Sequence, residues 1–312
     1  MHTKEELGNL LQMPLEDKIT VSKLRITEFY EHYNGNIVVS FSGGKDSTVL
    51  LHLVRRLYPG VKGVFCDTGL EYPEVKEHVK SIENIDIIRP QLSFKQVIEQ
   101  YGWTYPSKET AEKIYYAKRG KQWAINHMNG RETDGTPSKS KFKTRYKRWQ
   151  FLIDSPFKIS RKCCDIMKKK PFHDYMKQYN GGGMLIGTMT CESSIRKQAW
   201  LKTGCNAFSS GKGMPLSFWT EQDVLQYILN EKIQIPSVYG DIVKVGNKLT
   251  TTGEHRTGCM FCPIGIHLEK HPNKFQRMAK THPKIYDYCI HNLGLGELLD
   301  YVGVDYKPPE EN

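Results

Sequence analysis

The stretch IVVSFSGGKDSTVLLHL, from Ile37 to Leu53, constrains this chain more than any other. Ile37 to Phe41 reads as a buried strand and Thr48 to Leu57 as a helix, with two glycines at the break. A strand that passes into a helix in this way belongs to an open parallel sheet, where ligands bind beyond the carboxyl ends of the strands. Gly43 and Gly44 let the backbone turn tightly and bring N–H groups close to an anion. The helix that follows adds its N-terminal N–H groups and its dipole. Lys45 adds a full positive charge, and Ser42 and Ser47 add hydroxyls. Asp46 is the odd member, because a carboxylate repels a phosphate. It calls for either a bridging Mg²⁺ or a structural hydrogen bond to the loop. The order of residues is neither G-x-x-x-x-G-K-[ST] nor G-x-G-x-x-G. The competing reading is a strand–helix turn that holds nothing.

The rest of the chain repeats the alternation. The first 33 residues read as helical, with Leu10, Leu11, Leu24, Ile26 and Phe29 at apolar positions. Val61 to Phe65 reads as a second strand, Glu74 to Ile82 as a helix and Ile85 to Ile88 as a third strand. Ser93 to Tyr101 looks helical, and Gly130 to Lys143 is a polar loop. Met184 to Gly187 is a further strand, reached through Gly181 to Gly183. Thr220 is placed to cap a helix, with Asp223 three residues on as its capping-box partner. After Pro236 the pattern loosens. The expected fold is α/β, a doubly wound, mostly parallel sheet with a C-terminal cysteine-bearing extension. It divides into an N-terminal helical segment (1–35), a nucleotide-binding domain (36–235) with a basic insertion at about 105–160, and a Cys-containing subdomain (236–312).

The net charge is +11. Lys and Arg crowd between Lys108 and Lys170, interleaved with Tyr115, Tyr116, Trp123, Phe142, Tyr146 and Trp149. That mixture suits phosphate contacts with base stacking, on DNA or tRNA. It also suits a solvated basic face. No run approaches the ~20 apolar residues of a membrane span, and the residues from Met1 to Leu11 are too polar for a secretory signal. The expectation is a cytoplasmic protein with no membrane partner.

Of the eight cysteines, Cys66, Cys191, Cys205 and Cys289 stand alone and read as ordinary buried thiols. Cys163-Cys164 and the pair Cys259/Cys262 point to metal or redox chemistry. Four thiolates can hold Zn²⁺ or an iron–sulfur cluster. Adjacent cysteines fit a zinc knuckle poorly because their side chains diverge. Lys162 and Lys168 would offset the negative charge of a cluster.

SFSGGKDS resembles the pyrophosphate-binding loop of the adenine nucleotide α-hydrolase-like superfamily. DTGLEYPE (Asp67 to Glu74), ESSIRK (Glu192 to Lys197) and PLSFWTEQDVLQYI (Pro215 to Ile228) are similar to segments of the phosphoadenosine phosphosulfate (PAPS) reductase family, in the same order. The resemblance implies that Ser40, Ser42, Gly43, Gly44, Lys45, Asp46 and Ser47 bind the phosphates of ATP. It puts Asp67 and Thr68 near the adenosine, has Gly187 admit the nucleotide and has Arg196 reach a phosphate or sulfate, with Glu192 orienting Arg196. Lys45, Asp46 and Arg196 would be the catalytic set. The tandem and C-x-x-C cysteines resemble the [4Fe–4S] motif of assimilatory sulfonucleotide reductases. Those reductases also carry a C-terminal E-C-G-x-H segment, which this sequence lacks. Cys289, the nearest cysteine, has different surroundings. An intact Gly44-Lys45 instead resembles ATP pyrophosphatases that prepare an acceptor for sulfur. The class acting in DNA phosphorothioation with a cysteine desulfurase as donor is one example. The expectation is therefore an ATP pyrophosphatase working with Mg²⁺. The alternatives are a phosphosulfate reductase and a non-catalytic nucleotide-binding subunit.

Overall fold

Two helices precede the first strand in the computed structural model, which describes residues 2–140, 145–179 and 182–308. Phe142 and Gly181 lie outside the described residues. Helix α1 (Lys4–Gln12) starts at a capping box, where Thr3 Oγ1 accepts from Glu6 N at 3.0 Å and Glu6 Oε2 accepts from Thr3 N at 2.8 Å. Helix α2 spans Leu15–His32. The expected single helical stretch is broken at Met13-Pro14, because a proline has no N–H with which to continue a helix.

The strands β1 (Ile37–Ser40), β2 (Lys62–Cys66), β3 (Ile85–Ile88), β4 (Gly183–Ile186), β5 (Asn206–Ala207) and β6 (Lys212–Gly213) form one sheet in the order β3-β2-β1-β4-β6-β5. Each pairing is parallel except β5 with β6. Helices α3 (Lys45–Leu57) and α4 (Pro73–Ser81) connect the first three strands. Val38, Val39, Phe41, Leu50, Leu53 and Leu185 are fully buried. Full burial of one such aliphatic side chain contributes about 1.5–3 kcal/mol, and burial on both faces explains the unbroken apolar run of β1. From β1 the chain steps outward to β2 and β3, then returns to lay β4 on the other side of β1. The strand order thus reverses between β1 and β4, which makes their carboxyl ends the switch point of the sheet.

Helix α8 (Lys170–Gln178) leads into β4, and α9 (Ser194–Thr203) and α10 (Glu221–Glu231) follow it. The expected capping box opens α10: Thr220 Oγ1 accepts from Asp223 N, and Asp223 Oδ2 accepts from Thr220 N at 2.7 Å. The same carboxylate pairs with Lys18 Nζ of α2 at 2.7 Å. Lys18 is buried, so removing either partner would strand a charge. A hairpin follows, β7 (Ile242–Val245) with β8 (Lys248–Thr251), in a region where the sequence pattern gives no strand.

By contact density the chain forms two units, Met1–Pro90 with Lys170–Met260 and Gln91–Lys169 with Phe261–Asn312. The sheet lies wholly in the first. The second is helical: α5 (Phe94–Tyr101), α6 (Lys108–Ala117), α7 (Gln122–Met128), a 3₁₀ helix at Arg145–Leu152, α11 (Lys274–Thr281), α12 (Pro283–Asp287) and α13 (Leu295–Tyr301). Within it Tyr105 packs edge-on against Trp149 at 5.2 Å, and Trp149 against His267 at 4.8 Å. Gly102 has φ +75, and a Cβ there would lie 1.8 Å from the carbonyl oxygen of Lys158. No described helix is long and apolar enough to cross a membrane.

Candidate functional site

The register of the sheet brings three loops together. Ser40 pairs with Val64 on one side and Ile186 on the other, so the segments after β1, β2 and β4 leave the same edge. Gly43 makes the turn after β1 with φ +73, and a Cβ on it would lie 2.7 Å from both Val75 and Val79 of α4. No other residue fits without strain. Gly44 then opens α3 as its N-cap. Helix α3 therefore begins at Lys45, three residues before the expected Thr48.

The serines hold the shape of the loop. Ser47 Oγ donates to Gly44 O at 2.9 Å, accepts from Ser42 N at 3.2 Å and meets Ser42 Oγ at 3.0 Å. Thr48 Oγ1 donates to the same carbonyl at 3.0 Å. Lys45 is almost fully buried. Its ammonium donates to His255 O at 3.0 Å and lies 3.3 Å from Glu221 Oε1. Asp46 sits beside it, with Oδ1 3.6 Å from Lys45 Nζ. That buried oxygen has no hydrogen-bond partner among the described residues. Burial raises the Asp46 pKa against the pull of Lys45. A carboxylate oxygen that accepts no hydrogen bond, at the mouth of a phosphate-type loop, fits a site where Mg²⁺ would arrive with a nucleotide. The structural hydrogen bond weighed for Asp46 is not formed by Oδ1.

At the end of β4, a Cβ on Gly187 would lie 3.1 Å from Asp46 O and 3.3 Å from Ser47 Cα. The missing side chain gives room to the first turn of α3. Glu192 ion-pairs with Arg196 one helical turn on, accepts from Met189 N at 3.1 Å and lies 4.0 Å from Arg256 Nη1. The pairing has the form of a carboxylate orienting a guanidinium. Beyond β2, Asp67 accepts from Gly69 N at 3.2 Å and pairs with Lys76 at 2.9 Å and Arg89 at 3.3 Å. Desolvation works against its charge, yet these partners hold Asp67 below the usual carboxylate range. Thr68 donates through Oγ1 to Glu71 at 2.7 Å.

Several residues at this site carry no signal in the sequence reading. Tyr239, His255, Arg256 and Thr257 come from the segment around the hairpin, and their place over the loop is a long-range contact that local periodicity does not encode. Cys191 is a correction. It is exposed rather than an ordinary buried thiol, unlike Cys66, Cys205 and Cys289. The reason is its position in the short 3₁₀ turn Thr190–Glu192 at the carboxyl edge of the sheet.

Cys163, Cys164 and Cys262 lie in the helical unit, and Cys259 lies in the sheet-bearing unit. All four are part-exposed. A π-helical turn, Asp165–Lys169, follows Cys164 directly, and such turns concentrate at functional sites. Among the described residues, no group of three or more His, Cys, Asp or Glu side chains is gathered to hold a metal ion. The basic stretch is also mixed in character. Tyr146 and Trp149 are buried, as is Lys113, which lies 4.5 Å over the Tyr146 ring. These two aromatics form core and are not an open stacking surface. Tyr115 is stacked by Arg119 at 3.5 Å, and Tyr116 lies 5.3 Å from Trp123. Cys289 is fully buried, and burial pushes its thiol pKa far up.

Residues 36–264 match the family model described as the phosphoadenosine phosphosulfate reductase domain. An uncharacterized protein of Methanocaldococcus jannaschii is 25% identical over 277 residues, covering 85% of this chain and 50% of that protein. Sulfate adenylyltransferase subunit 2 of Buchnera aphidicola is 29% identical over 216 residues, 65% of this chain and 60% of that one. An adenosine 5'-phosphosulfate reductase of Bacillus cereus is 22% identical over 254 residues, 81% and 84% of the two chains. This chain thus spans only about half to three-fifths of the first two of these relatives. Among solved structures, a PAPS reductase from Candida auris in a phosphate complex aligns over 83% of this chain and 98% of its own, with TM-score 0.41 and 15% identity.

Proposed function

Because the chain belongs to the phosphoadenosine phosphosulfate reductase domain family, we propose that its phosphate loop takes ATP and that the protein is an ATP pyrophosphatase preparing an acceptor for sulfur. An acceptor oxygen attacks the α-phosphorus, the bond from that phosphorus to the bridging oxygen breaks, and pyrophosphate leaves in the loop. The terminal sulfur of a persulfide on a donor such as a cysteine desulfurase then displaces AMP, which departs with the acceptor oxygen. A second thiol cleaves the S–S bond, leaving the sulfur on the acceptor and a disulfide on the donor side. Lys45 and the first N–H groups of α3 neutralise the leaving pyrophosphate. Arg196, set by Glu192, faces the remaining phosphate charge, and Ser40, Ser42 and Ser47 shape the cradle. Asp46 would hold Mg²⁺, which would supply positive charge to neutralise the phosphates. Asp67 and Thr68 stand at the neighbouring strand end for the nucleoside.

The single observation that carries this reading is the intact Gly43-Gly44-Lys45 turn at the switch point, beside a buried carboxylate oxygen that accepts no hydrogen bond. Two relatives bear names that describe adenylyl nucleotides carrying sulfate, which supports sulfur chemistry on an activated nucleotide. A phosphosulfate reductase needs an accessible thiolate; the buried Cys289 is a poor one, and desolvation raises the thiol pKa of Cys191 at the sheet edge. Cys163, Cys164, Cys259 and Cys262 each bring the thiolate donor chemistry of a [4Fe–4S] group or of Zn²⁺, although among the described residues no three such side chains are gathered.

The acceptor we infer is a nucleic acid, DNA or tRNA. The exposed Arg119, Lys121, Lys147 and Arg148 of the basic stretch support a polyanion. The test is pyrophosphate release from Mg·ATP with DNA, tRNA and sulfate as acceptors. Lys45→Ala should lower the rate roughly 100-fold or more, as loss of a transition-state charge partner does. A normal rate in that variant would remove the loop assignment.

A further inference from the structure

We propose that the segment from Tyr239 to Thr257 is a built-in competitor for the phosphate loop, and that pyrophosphate or ATP binds by displacing it. The proposal rests on the loop being the phosphate site, as argued above. The Tyr239 hydroxyl accepts the backbone N–H of Lys45 at 3.1 Å. That group is the first helical N–H of α3, which has no partner within the helix and is the donor best placed for a phosphate oxygen. Thr257 Oγ1 braces the Tyr239 hydroxyl at 2.7 Å. The ammonium of Lys45 donates to the carbonyl of His255 and also pairs with Glu221. Both anion-binding devices of the loop, the amide N–H and the ammonium, are thereby satisfied by the chain itself.

Space gives the same answer. A Cβ on Gly44 would lie 3.0 Å from Thr257 Oγ1 and 3.1 Å from the Tyr239 hydroxyl. A phosphate group cannot enter between Gly44 and these two oxygens while they stay in place. Tyr239 is 2% exposed, so its hydroxyl is packed in as firmly as a core residue. The two ends of the segment are tied to each other. Gly253 N donates to Tyr239 O at 2.9 Å, Glu254 N to Val238 O at 2.9 Å and Thr252 N to Asp241 O at 3.0 Å. Gln222 of α10 holds the hairpin at Leu249 by hydrogen bonds of 2.9 and 2.8 Å, so the tied ends carrying Tyr239 and Thr257 lift together while the hairpin stays on α10. Two residues past Thr257 stands Cys259, and Met260 N is anchored on Leu70 O at 2.8 Å. Cys259 lies in the short span between the moving piece and its anchor, so filling the phosphate loop displaces that thiol.

The experiment is calorimetric titration of the full chain with inorganic pyrophosphate and with Mg·ATP, in wild type, Tyr239→Phe and Thr257→Val. Phenylalanine keeps the ring and removes only the competing oxygen. Tyr239→Phe should bind pyrophosphate roughly three- to tenfold tighter, the equivalent of one competing hydrogen bond. Thr257→Val should shift affinity the same way by less. Deuterium uptake over residues 237–258 of the wild type should rise when pyrophosphate is added. Equal or weaker binding by Tyr239→Phe overturns the proposal, because the hydroxyl would then be neutral or a ligand-binding group. A fall in uptake, or none, overturns it too, since the segment would then close on the ligand or ignore it. If the wild type binds pyrophosphate and Tyr239→Phe binds no tighter, the loop reading stands and this proposal alone fails. If neither binds, both fail together.

Discussion

Two stretches of this chain advertise chemistry, and the structure treats them differently. After β1, the residues that a ligand would want are the same residues that the backbone requires. Gly43 turns with φ +73 against α4, Ser47 holds the turn, and Lys45 begins the helix. Between Lys108 and Lys170 the conspicuous residues divide. Tyr146, Trp149 and Leu152 of the 3₁₀ helix are buried, while Lys147, Arg148 and Phe151 remain outside. A 3₁₀ helix has three residues per turn, so positions three apart eclipse, and this spacing selects which side chains go in. A motif bound to backbone geometry thus survives folding intact. A compositional cluster is redistributed by packing.

Breaking the second region should give the largest effect on stability. Trp149→Ala removes a buried ring that touches Tyr105 and His267, and should cost about 3–5 kcal/mol in chemical denaturation. Replacing the exposed Lys147 and Arg148 together by alanine should cost no more than about 1 kcal/mol, the worth of the Arg148 guanidinium over the Trp149 ring. The same double change should weaken binding of a DNA or tRNA duplex and flatten its salt dependence. A Trp149→Ala protein as stable as wild type would mean that the ring is surface after all. In the first region, Gly43→Ala meets both a left-handed φ and two valine side chains, and should cost about 1–3 kcal/mol. Pyrophosphate binding should be lost in the same variant. Retained binding would separate the turn from the site.

The smallest effect sharpens the comparison most. Burial raises the Asp46 pKa, so the folded state holds this proton more tightly than the unfolded state. Its carboxylate therefore costs stability above the folded pKa, and the cost disappears as the pH falls below the unfolded value. Asp46→Asn should raise the thermal midpoint slightly at neutral pH without nucleotide, with the gain fading toward pH ~4. The variant should also lose its response to Mg²⁺ with ATP. An Asp46→Asn protein less stable at neutral pH would make the carboxylate a structural acceptor.

Much of the sheet was legible because its strands are short runs rich in Ile and Val, bounded by turn residues such as Gly, Asn and Pro. Ile85–Ile88 matches residue for residue, and the Thr220–Asp223 cap appears as read. The sequence pattern gives no helix for the tail, although Asn273 with Gln276 spells a capping box before α11. Surrounding Gly, Pro and Cys hid that signal. Glu221 and Tyr239 at the loop were beyond reach, because each approaches Lys45 only through the finished fold. The exposure of Cys191 had the same cause, since local sequence does not say which edge of the sheet a turn will face.

The pairing of Ile37 with Gly183 has a consequence for how the molecule comes into being. β1, β2 and β3 are made early and lie close in sequence, but the neighbour that completes the other flank of β1 is synthesised only after the whole stretch 91–169. Loop closure over that distance is slow. During synthesis the phosphate loop therefore emerges long before Gly187 can seat the first turn of α3. A nascent chain stopped in the basic stretch would display the loop's sequence without its architecture. The ability to hold an anion arrives late, with the return of the chain to the centre of its own sheet.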